Sequence, residues 1–344
     1  MKLKNINIPE RMKHYHVPGL SIALIEKGQI SERGDYGVQQ MGTAKSVTEN
    51  SIFNACSISK LLTGMIVIEL TEQGLLDLDE DVNIKLESWK IPKNEYSKKV
   101  TLRNLLSHQS GILDPKQSFT ELKSSLYAPS MVDLLEGKTA YCKGTIKVKY
   151  EPESEFHYSD AGFCIIQQLI EDVTKKAFKQ VAKELLFKPL KMKNSLFVTE
   201  ISDVGNEDFS SGHNKNGEIV EGNYPIYPYP AASGLWTTTT DLAQLVIELM
   251  NALKGESIVD ISASKAKEMI SPQRDKQWSG LGVFLEDAGT KEFEVSSLGW
   301  GVGFQSMMVA FPNKETGAVI MTNAELGVHQ MEGIIGEIYK SLEI

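Results

Sequence analysis

Hydrophobic and polar positions alternate in part near the start of the chain, and extended segments occur again near its end. Residues 20–25 are rich in branched side chains, residues 26–29 offer a turn, and a second extended run leads toward Gly37. This pattern predicts a β-hairpin. Beyond Gly280 the extended pattern returns in four segments, at 281–285, 292–296, 306–311 and 318–322. A helix over 329–342 is expected to close the chain.

Between these two groups of strands the helical pattern dominates. Residues 56–74 are apolar on nearly every face and end at a glycine, so they predict a buried central helix. Further helices are expected at 100–106, 162–173 and 241–250. The last of them opens with Asp241 and Gln244 at the spacing of a capping box.

Strands at both ends of the chain and helices between them predict a mixed α and β fold. We expect one antiparallel sheet built from both termini and flanked by helices, with a mainly helical lobe inserted into it. The sheet domain would comprise residues 1–80 and 256–344, and the inserted domain residues 81–255.

Charge and cysteine content argue against several functions. The chain has 36 Lys and Arg against 45 Asp and Glu, a formal net charge of −9, and it lacks a basic run, which disfavours a nucleic-acid partner. Its three cysteines are too scattered for a disulfide framework or a Cys-x-x-Cys metal site. We therefore expect no metal and a reducing compartment.

Hydropathy gives no sign of a membrane span. The longest apolar stretch, residues 61–70, is far shorter than the ~20 residues that a bilayer requires. The first residues are positively charged but lack the apolar segment of a secretory signal. As written, the sequence predicts a cytoplasmic protein, although a signal peptide removed beforehand would leave the same pattern.

Acyl-transfer chemistry requires a nucleophile, a base within hydrogen-bonding reach and donors for the developing oxyanion. Ser57 and Lys60 supply the first two, because residues three apart share a helix face. Burial of the helix is expected to lower the pKa of Lys60 toward that of a useful base. Two further Ser-x-x-Lys spacings fall within residues 260–268, but this charged stretch is typical of a solvated helix.

Two other segments contain residues suited to catalysis or ligand binding. Tyr158 stands at the start of a predicted helix, and Asp160 follows two positions later. Residues 297–306 are rich in glycine and lie between two predicted strands, where backbone commonly approaches a ligand closely. These segments favour Ser57 over the other serines that share its spacing.

With these motifs the chain resembles the serine β-lactamase-related family, which includes class C β-lactamases, low-molecular-weight penicillin-binding proteins, D-aminopeptidases and related esterases. The likeness covers essentially the whole chain. Its blocks occur in the family's order, at 17–25, 57–60, 105–112, 188–192, 232–237, 241–243 and 299–304. The resemblance implies a β-lactamase/transpeptidase-like fold with an active site between the two predicted domains. It also implies a serine hydrolase with a Ser-x-x-Lys nucleophile.

The family's catalytic roles carry over to matching residues. The resemblance makes Ser57 the acylated serine and Lys60 its base partner. Tyr158 matches the tyrosine that relays protons to and from the serine and the leaving group. His108 belongs to a block that is mainly architectural in the family.

The substrate-binding positions follow from the same resemblance. The oxyanion hole would consist of the backbone N–H groups of Ser57 and of Trp300, the residue after Gly299 of the third motif. Two positions depart from the family's pattern. Asp160 stands where the family usually has asparagine, and Ser297 stands where it usually has lysine or histidine.

Both departures affect the chemistry expected of the site. The family's cation helps to anchor a substrate carboxylate, so a serine at 297 disfavours β-lactams and other carboxylate-bearing substrates. An ionised Asp160 beside Lys60 favours the ammonium form and makes a poorer base. Asp160 is either a helix N-terminal carboxylate or a substrate contact, and Ser297 is either a plain strand residue or a substrate contact.

The primary hypothesis is a serine hydrolase that forms an acyl-enzyme on a small ester, amide or peptide substrate and needs no cofactor. Two alternatives stay open. One is a non-catalytic relative that binds ligands in the same cleft, and the other is an acyltransferase that uses the same nucleophile. The sequence specifies neither the substrate nor the oligomeric state.

Overall fold

The computed structural model describes residues 1–122, 128–200, 203–204 and 208–344. Its strands are β1 (Lys2–Leu3), β2 (Gly19–Glu26), β3 (Gln29–Gly37), β4 (Phe53–Cys56), β5 (Leu196–Phe197), β6 (Leu235–Thr237), β7 (Phe284–Glu286), β8 (Glu294–Gly301), β9 (Phe304–Phe311), β10 (Thr316–Thr322) and β11 (Leu342–Glu343). Its helices are α1 (Ile8–Tyr15), α2 (Ser59–Glu72), α3 (Val82–Lys85), α4 (Leu102–Leu106), α5 (Met131–Leu135), α6 (Asp160–Thr174), α7 (Phe178–Ala182), α8 (Pro230–Ser233), α9 (Thr239–Lys254), α10 (Ala263–Met269) and α11 (Ile334–Lys340). A π-helical segment spans Lys183–Phe187.

The main sheet has six strands in the order β3-β2-β10-β9-β8-β7, and every neighbouring pair is antiparallel. The strands β2 and β3 form the predicted hairpin, whose turn places Lys27 and Gly28 at positive φ. Strand β10, which comes from the C-terminal part of the chain, lies between β2 and β9 and is buried along its whole length. The prediction of one antiparallel sheet built from both ends of the chain is therefore confirmed.

Two strands of this sheet differ from the sequence prediction. The strand predicted at 281–285 begins only at Phe284, because Gly282 adopts a φ of 78° and turns the chain just before it. The next strand, β8, continues as far as Gly301. The glycine-rich segment 297–306 is predicted to lie between two strands, but its first half belongs to β8. The turn comes later, at Gly303, which has a φ of 74°.

Helix ends depend on capping that the sequence pattern only partly indicates. The cap of α9 is Thr238, whose hydroxyl accepts the N–H of Asp241 at 3.1 Å. The capping box predicted for Asp241 and Gln244 is therefore wrong, because extended backbone at Thr238 starts the helix earlier. The helix predicted over 329–342 is interrupted by extended backbone at Gly333, which leaves a short 3₁₀ turn before α11.

Helix α9 packs against the main sheet. The hydroxyl of Thr239 at its start lies 2.8 Å from the hydroxyl of Ser21 in β2, and the helix also contacts β10. The sheet layer thus includes a helix that the predicted boundary at residue 255 assigns to the inserted lobe. The division into a sheet domain and an inserted domain stays a prediction.

A small second sheet positions the segment that contains Ser57. Its strands are ordered β4-β6-β5, and Phe53 in β4 pairs with Thr237 in β6. Trp236 at the centre of β6 is fully buried. Because β4 leads directly into α2, this sheet fixes where the segment around Ser57 enters the helix.

Near the end of α2 lies a buried acid with consequences for stability. The carboxyl group of Glu69 is almost fully enclosed, and within the described residues only Gln73 donates a hydrogen bond to it, at 3.2 Å. Burial, together with the charge of Asp260, raises the pKa of Glu69 to about 8. The folded protein therefore keeps this proton at pH values where the unfolded chain releases it.

We expect Glu69→Gln to stabilise the protein at high pH. Stability from this group is complete below the unfolded pKa of about 4.3, falls as the pH rises, and levels off above about 8. Glutamine keeps the acceptor for Gln73 and cannot ionise. Urea unfolding at pH 8.5 should show a free energy of unfolding about 1–3 kcal/mol above that of the wild type, and at pH 4 the two should agree.

A matched substitution separates this effect from overall charge. Glu221 is exposed, so Glu221→Gln makes the same charge change without removing a buried carboxylate. Its stability should follow the wild type at every pH. A Glu69→Gln variant with the wild-type dependence on pH would show that Glu69 is ionised in the folded state.

Candidate active site

Ser57 lies in a sharp turn between β4 and α2. The backbone of Cys56 has a φ of 50°, and its N–H donates to the side-chain oxygen of Asn54 at 2.8 Å. Because this conformation cannot belong to a helix, α2 starts at Ser59, three residues later than predicted. The Ser59 hydroxyl donates to the Cys56 carbonyl at 2.6 Å and fixes the turn. Ser57 is thereby held half-buried at the entry to the helix.

Lys60 is directed at the serine by three hydrogen bonds. Its Nζ donates to the Ser57 hydroxyl at 3.2 Å, to the Asp160 carboxylate at 2.6 Å and to the Ala232 carbonyl at 2.9 Å. The side chain is only 3% exposed. An amine that donates to three acceptors uses all the protons of an ammonium group. The geometry therefore describes a positively charged lysine.

The electrostatics agree with that geometry. Burial lowers the pKa of Lys60, but the Asp160 carboxylate, with a smaller contribution from the Tyr158 hydroxyl, raises it by more, so the pKa lies above its usual value. The expectation that burial would make Lys60 a ready base is wrong, because the carboxylate outweighs desolvation. The expectation that Asp160 would favour the ammonium form is confirmed.

Tyr158 lies against Lys60 and His108. The Lys60 Nζ is 4.8 Å from the centre of the tyrosine ring, and the His108 ring stacks on it at 4.3 Å. The residue is 43% exposed and lines the same cleft as Ser57. Burial, opposed by the charge of Lys60, raises the pKa of Tyr158. The phenol is therefore neutral at pH 7.

His108 orients the start of α6. Its Nδ1 accepts the backbone N–H of Ser159 at 3.1 Å. Burial and the charge of Lys60 lower the pKa of His108 well below its usual value, so the ring is neutral. The role of His108 is thus to hold Tyr158 from two sides, through its stacked ring and through the next backbone N–H.

Asp114 is a contributor that the sequence did not reveal. Its carboxylate accepts the Ser159 hydroxyl at 2.8 Å and the backbone N–H groups of Asp160 and Ala161 at 3.0 and 2.9 Å. These bonds fix the first turn of α6 and hence the position of Asp160. Burial and the charge of Asp160 raise the pKa of Asp114. Asp160 accordingly serves both as a residue of the helix N-terminus and as the partner of Lys60.

Strand β8 brings the third motif to the cleft that Ser57 lines. A side chain at Gly299 would place its Cβ 2.2 Å from the Ala55 carbonyl, so only glycine fits there. Trp300 is 42% exposed and lines the cleft above Ser57. Ser297 is 4% exposed and is absent from the described residues that line this cleft. The structure thus favours the plain strand role for Ser297.

The cleft above Ser57 has a volume of about 570 Å³. Its aromatic walls come from Phe119, Tyr158, Tyr227, Tyr229, Phe284 and Trp300. Three carboxylates, of Glu121, Asp160 and Glu325, also line it, and none of the described lining residues is a lysine or arginine. Ser233, which is 7% exposed, and Gln330 add polar groups. The cleft is therefore aromatic and acidic.

The described residues show neither a metal site nor a membrane segment. They contain no group of three or more His, Cys, Asp or Glu side chains arranged to hold a metal ion. None of the helices among them combines the length and the apolar character needed to cross a membrane.

A serine, a lysine and a tyrosine meeting between an antiparallel sheet and helices define a β-lactamase/transpeptidase-like fold of mixed α and β type. The family model for Beta-lactamase matches residues 6–334. The chain therefore belongs to the Beta-lactamase family.

Individual relatives are distant. Protein flp from Staphylococcus aureus (strain MW2) is 23% identical over 317 residues, which are 90% of this chain and 60% of that protein. The chain thus spans about three fifths of that relative's length. The octameric penicillin-binding protein homologue from Pyrococcus abyssi has a TM-score of 0.74 at 20% identity, covering 92% of this chain and 72% of that chain. For the D-alanine carboxypeptidase AmpC from Burkholderia cenocepacia the TM-score is 0.73 at 19% identity, covering 97% of each chain. These two structures show the fold.

Proposed function

We propose that this chain is a serine hydrolase that forms an acyl-enzyme at Ser57 on ester or amide substrates. The observation that carries the proposal is the 3.2 Å contact between Lys60 Nζ and Ser57 Oγ at the base of an open cleft. Membership of the Beta-lactamase family supports the same reaction class. The charge of the cleft indicates which esters the site prefers.

The neutral phenol and the charged lysine suggest how acylation proceeds. Ser57 Oγ attacks the substrate carbonyl and passes its proton to the Tyr158 oxygen, while Tyr158 gives its own proton to the leaving alcohol or amine. Tyr158 therefore never has to exist as a free phenolate. Lys60 stabilises the negative charge that develops on both oxygens, which is a task for an ammonium group.

Hydrolysis of the acyl-enzyme reverses the direction of the relay. A water molecule attacks the ester carbonyl on Ser57 and passes a proton to Tyr158, and Tyr158 returns its proton to Ser57 Oγ. The acid product then leaves and the resting site is restored. The backbone N–H groups of Ser57 and Trp300 are our proposal for the oxyanion hole in both steps.

We place the reaction between the two predicted domains. Ser57 and Trp300 come from the expected sheet domain, whereas Tyr158 and Tyr229 come from the expected inserted domain, and all four line one cleft. A site assembled from both parts of the chain supports this division.

Labelling with a fluorophosphonate tests the nucleophile. We expect intact mass to show one adduct, peptide mapping to place it on Ser57, and Ser57→Ala to remove it. Activation requires the lysine beside the serine, and this geometry is specific to Ser57 among the three Ser-x-x-Lys spacings. At Ser262 the hydroxyl contacts Glu72, while Lys265 pairs with Glu268 at 2.9 Å.

The control variant is Ser262→Ala, which should label like the wild type. A label that survives in Ser57→Ala would contradict the proposal. An unlabelled wild type would instead favour the hypothesis of a non-catalytic binding protein. The tight pairing of Lys60 with Asp160 is the observation that motivates this alternative. Adding alcohol or amine acceptors during turnover distinguishes an acyltransferase, because acylated acceptor would accumulate.

A further inference from the structure

A second cavity lies outside the catalytic cleft and shares no lining residue with it. It is open to solvent, has a volume of about 710 Å³ and is bordered by α7, the π-helical segment 183–187, the loop that follows it and β5. Its apolar floor consists of Phe187, Met192, Leu196 and Phe197. This volume falls within the range of small-molecule sites, about 300–1,000 Å³.

Five lysines surround the floor, and we call them the lysine rim: Lys179, Lys183, Lys188, Lys191 and Lys193. All five are exposed. Within the described residues none of their ammonium groups lies within 4.0 Å of a carboxylate. The nearby Glu184 is bound to Lys176 instead. The rim is therefore a cluster of positive charges without ion pairs among the described residues, and Glu184 and Asp203 are the carboxylates near Lys188 and Lys179.

This cluster runs against the character of the whole chain. Residues 175–193 contain seven lysines and one glutamate, whereas the protein carries a net charge of −9. Like charges gathered around one opening repel each other unless an anion lies between them. Lysine stems can also cover apolar surface, but here they leave the cavity between them open.

The backbone beneath the rim is held in place by its own hydrogen bonds. The N–H of Lys188 donates to the Lys183 carbonyl at 3.0 Å, and that of Met192 donates to the Phe187 carbonyl at 2.9 Å. A π-helical turn is rare and occurs frequently at functional sites. Here it brings Lys183 to the rim and Phe187 to the floor of the same cavity.

We propose that this cavity binds an anionic amphiphile with a single alkyl chain. The chain lies on the apolar floor, and a carboxylate or phosphate headgroup lies within the lysine rim. Both parts are needed, because exposed lysines alone bind anions weakly and an apolar floor alone does not select for charge. The proposal is independent of the reaction at Ser57.

Calorimetric titration with dodecyl phosphate, below the concentration at which it forms micelles, tests the site. We expect saturable binding with one site per chain, weakened by added salt. Lys183→Gln/Lys188→Gln/Lys191→Gln should weaken it by about tenfold or more, the effect of losing roughly 1.4 kcal/mol. The control is Lys27→Gln/Lys45→Gln/Lys340→Gln, which removes three exposed lysines elsewhere and should bind like the wild type.

Comparison ligands show whether the site recognises the headgroup, the alkyl chain or both. Vesicles show whether it recognises a single amphiphile molecule or a membrane surface. Dodecanol, which lacks the charge, and methyl phosphate, which lacks the chain, should both bind at least about tenfold more weakly. Absence of saturable binding, equal binding of dodecanol, or equal weakening in both triple variants would overturn the proposal. Binding to vesicles that contain phosphatidylglycerol without binding of monomeric dodecyl phosphate would also overturn it, and would assign the rim to a membrane surface.

Discussion

Replacing Tyr158 by phenylalanine is expected to lower kcat by about 10²–10⁴-fold, the usual contribution of a positioned acid or base. In the proposed relay the phenol is the only group that both accepts the serine proton and donates to the leaving group. Lys60 cannot substitute for it, because its pairing with Asp160 keeps it an ammonium group. The Michaelis constant should change much less, since the ring remains in the cleft wall.

The structure offers a matched control in the same cleft. Tyr229 also lines the cleft, and its hydroxyl donates to the Phe119 carbonyl, remote from the proposed relay. Tyr229→Phe removes the same atom and should leave kcat within about threefold, as expected when a neutral hydrogen bond of roughly 0.5–1.5 kcal/mol is lost outside the transition state. If Tyr158→Phe retained more than half of the activity, the phenol would be structural and the relay would be wrong.

Local sequence patterns account for much of the fold. The hairpin of β2 and β3 and the strands β9 and β10 were predictable because short extended segments are bounded there by turn residues. The proximity of Ser57 and Lys60 was predictable for a similar reason, since their spacing depends on one turn of backbone. What the pattern missed at this site is also local: a positive φ at Cys56, stabilised by Asn54, delays the helix.

Long-range contacts account for what the sequence could not show. Asp114 reaches the start of α6 across 46 residues to Asp160, and nothing near Asp114 indicates that partner. Ser297 illustrates the role of strand register. Because side chains alternate along β8, Ser297 shares the face of Gly299, which packs against Ala55, whereas Trp300 shares the face of the cleft. The short side chain of Ser297 therefore stays on the face of β8 that is turned away from the cleft.

The charge of the cleft leads to a prediction about substrates. In a matched series of esters we expect kcat/KM to rank ammonium above neutral and neutral above carboxylate. Asp160 is not the source of this preference, because Lys60 neutralises it at 2.6 Å. Glu121 and Glu325 also line the cleft and form no ion pair within the described residues, so they supply its net negative charge.

The size of the effect follows from elementary electrostatics. At an effective dielectric constant near 20, a unit charge about 4 Å away contributes roughly 4 kcal/mol before solvation costs. Solvent and salt reduce this figure at a half-exposed cleft wall, and about 1.4 kcal/mol remains a reasonable expectation. We therefore expect about tenfold selectivity between ammonium and carboxylate esters, decreasing as ionic strength rises.

Two substitutions identify which carboxylates set the ranking. Glu325→Gln should reduce the preference for the ammonium ester, whereas Glu221→Gln, outside the described cleft wall, should leave it unchanged. Asp160→Asn acts differently, because it leaves the charge of Lys60 uncompensated and should move selectivity toward the carboxylate ester. A wild type that prefers the anionic ester, or an Asp160→Asn variant with an unchanged ranking, would contradict the idea. Tyr158→Phe should slow all three esters equally and leave their ranking unchanged. That result would show that the charge of the cleft selects the substrate, whereas the phenol acts on the bond that breaks.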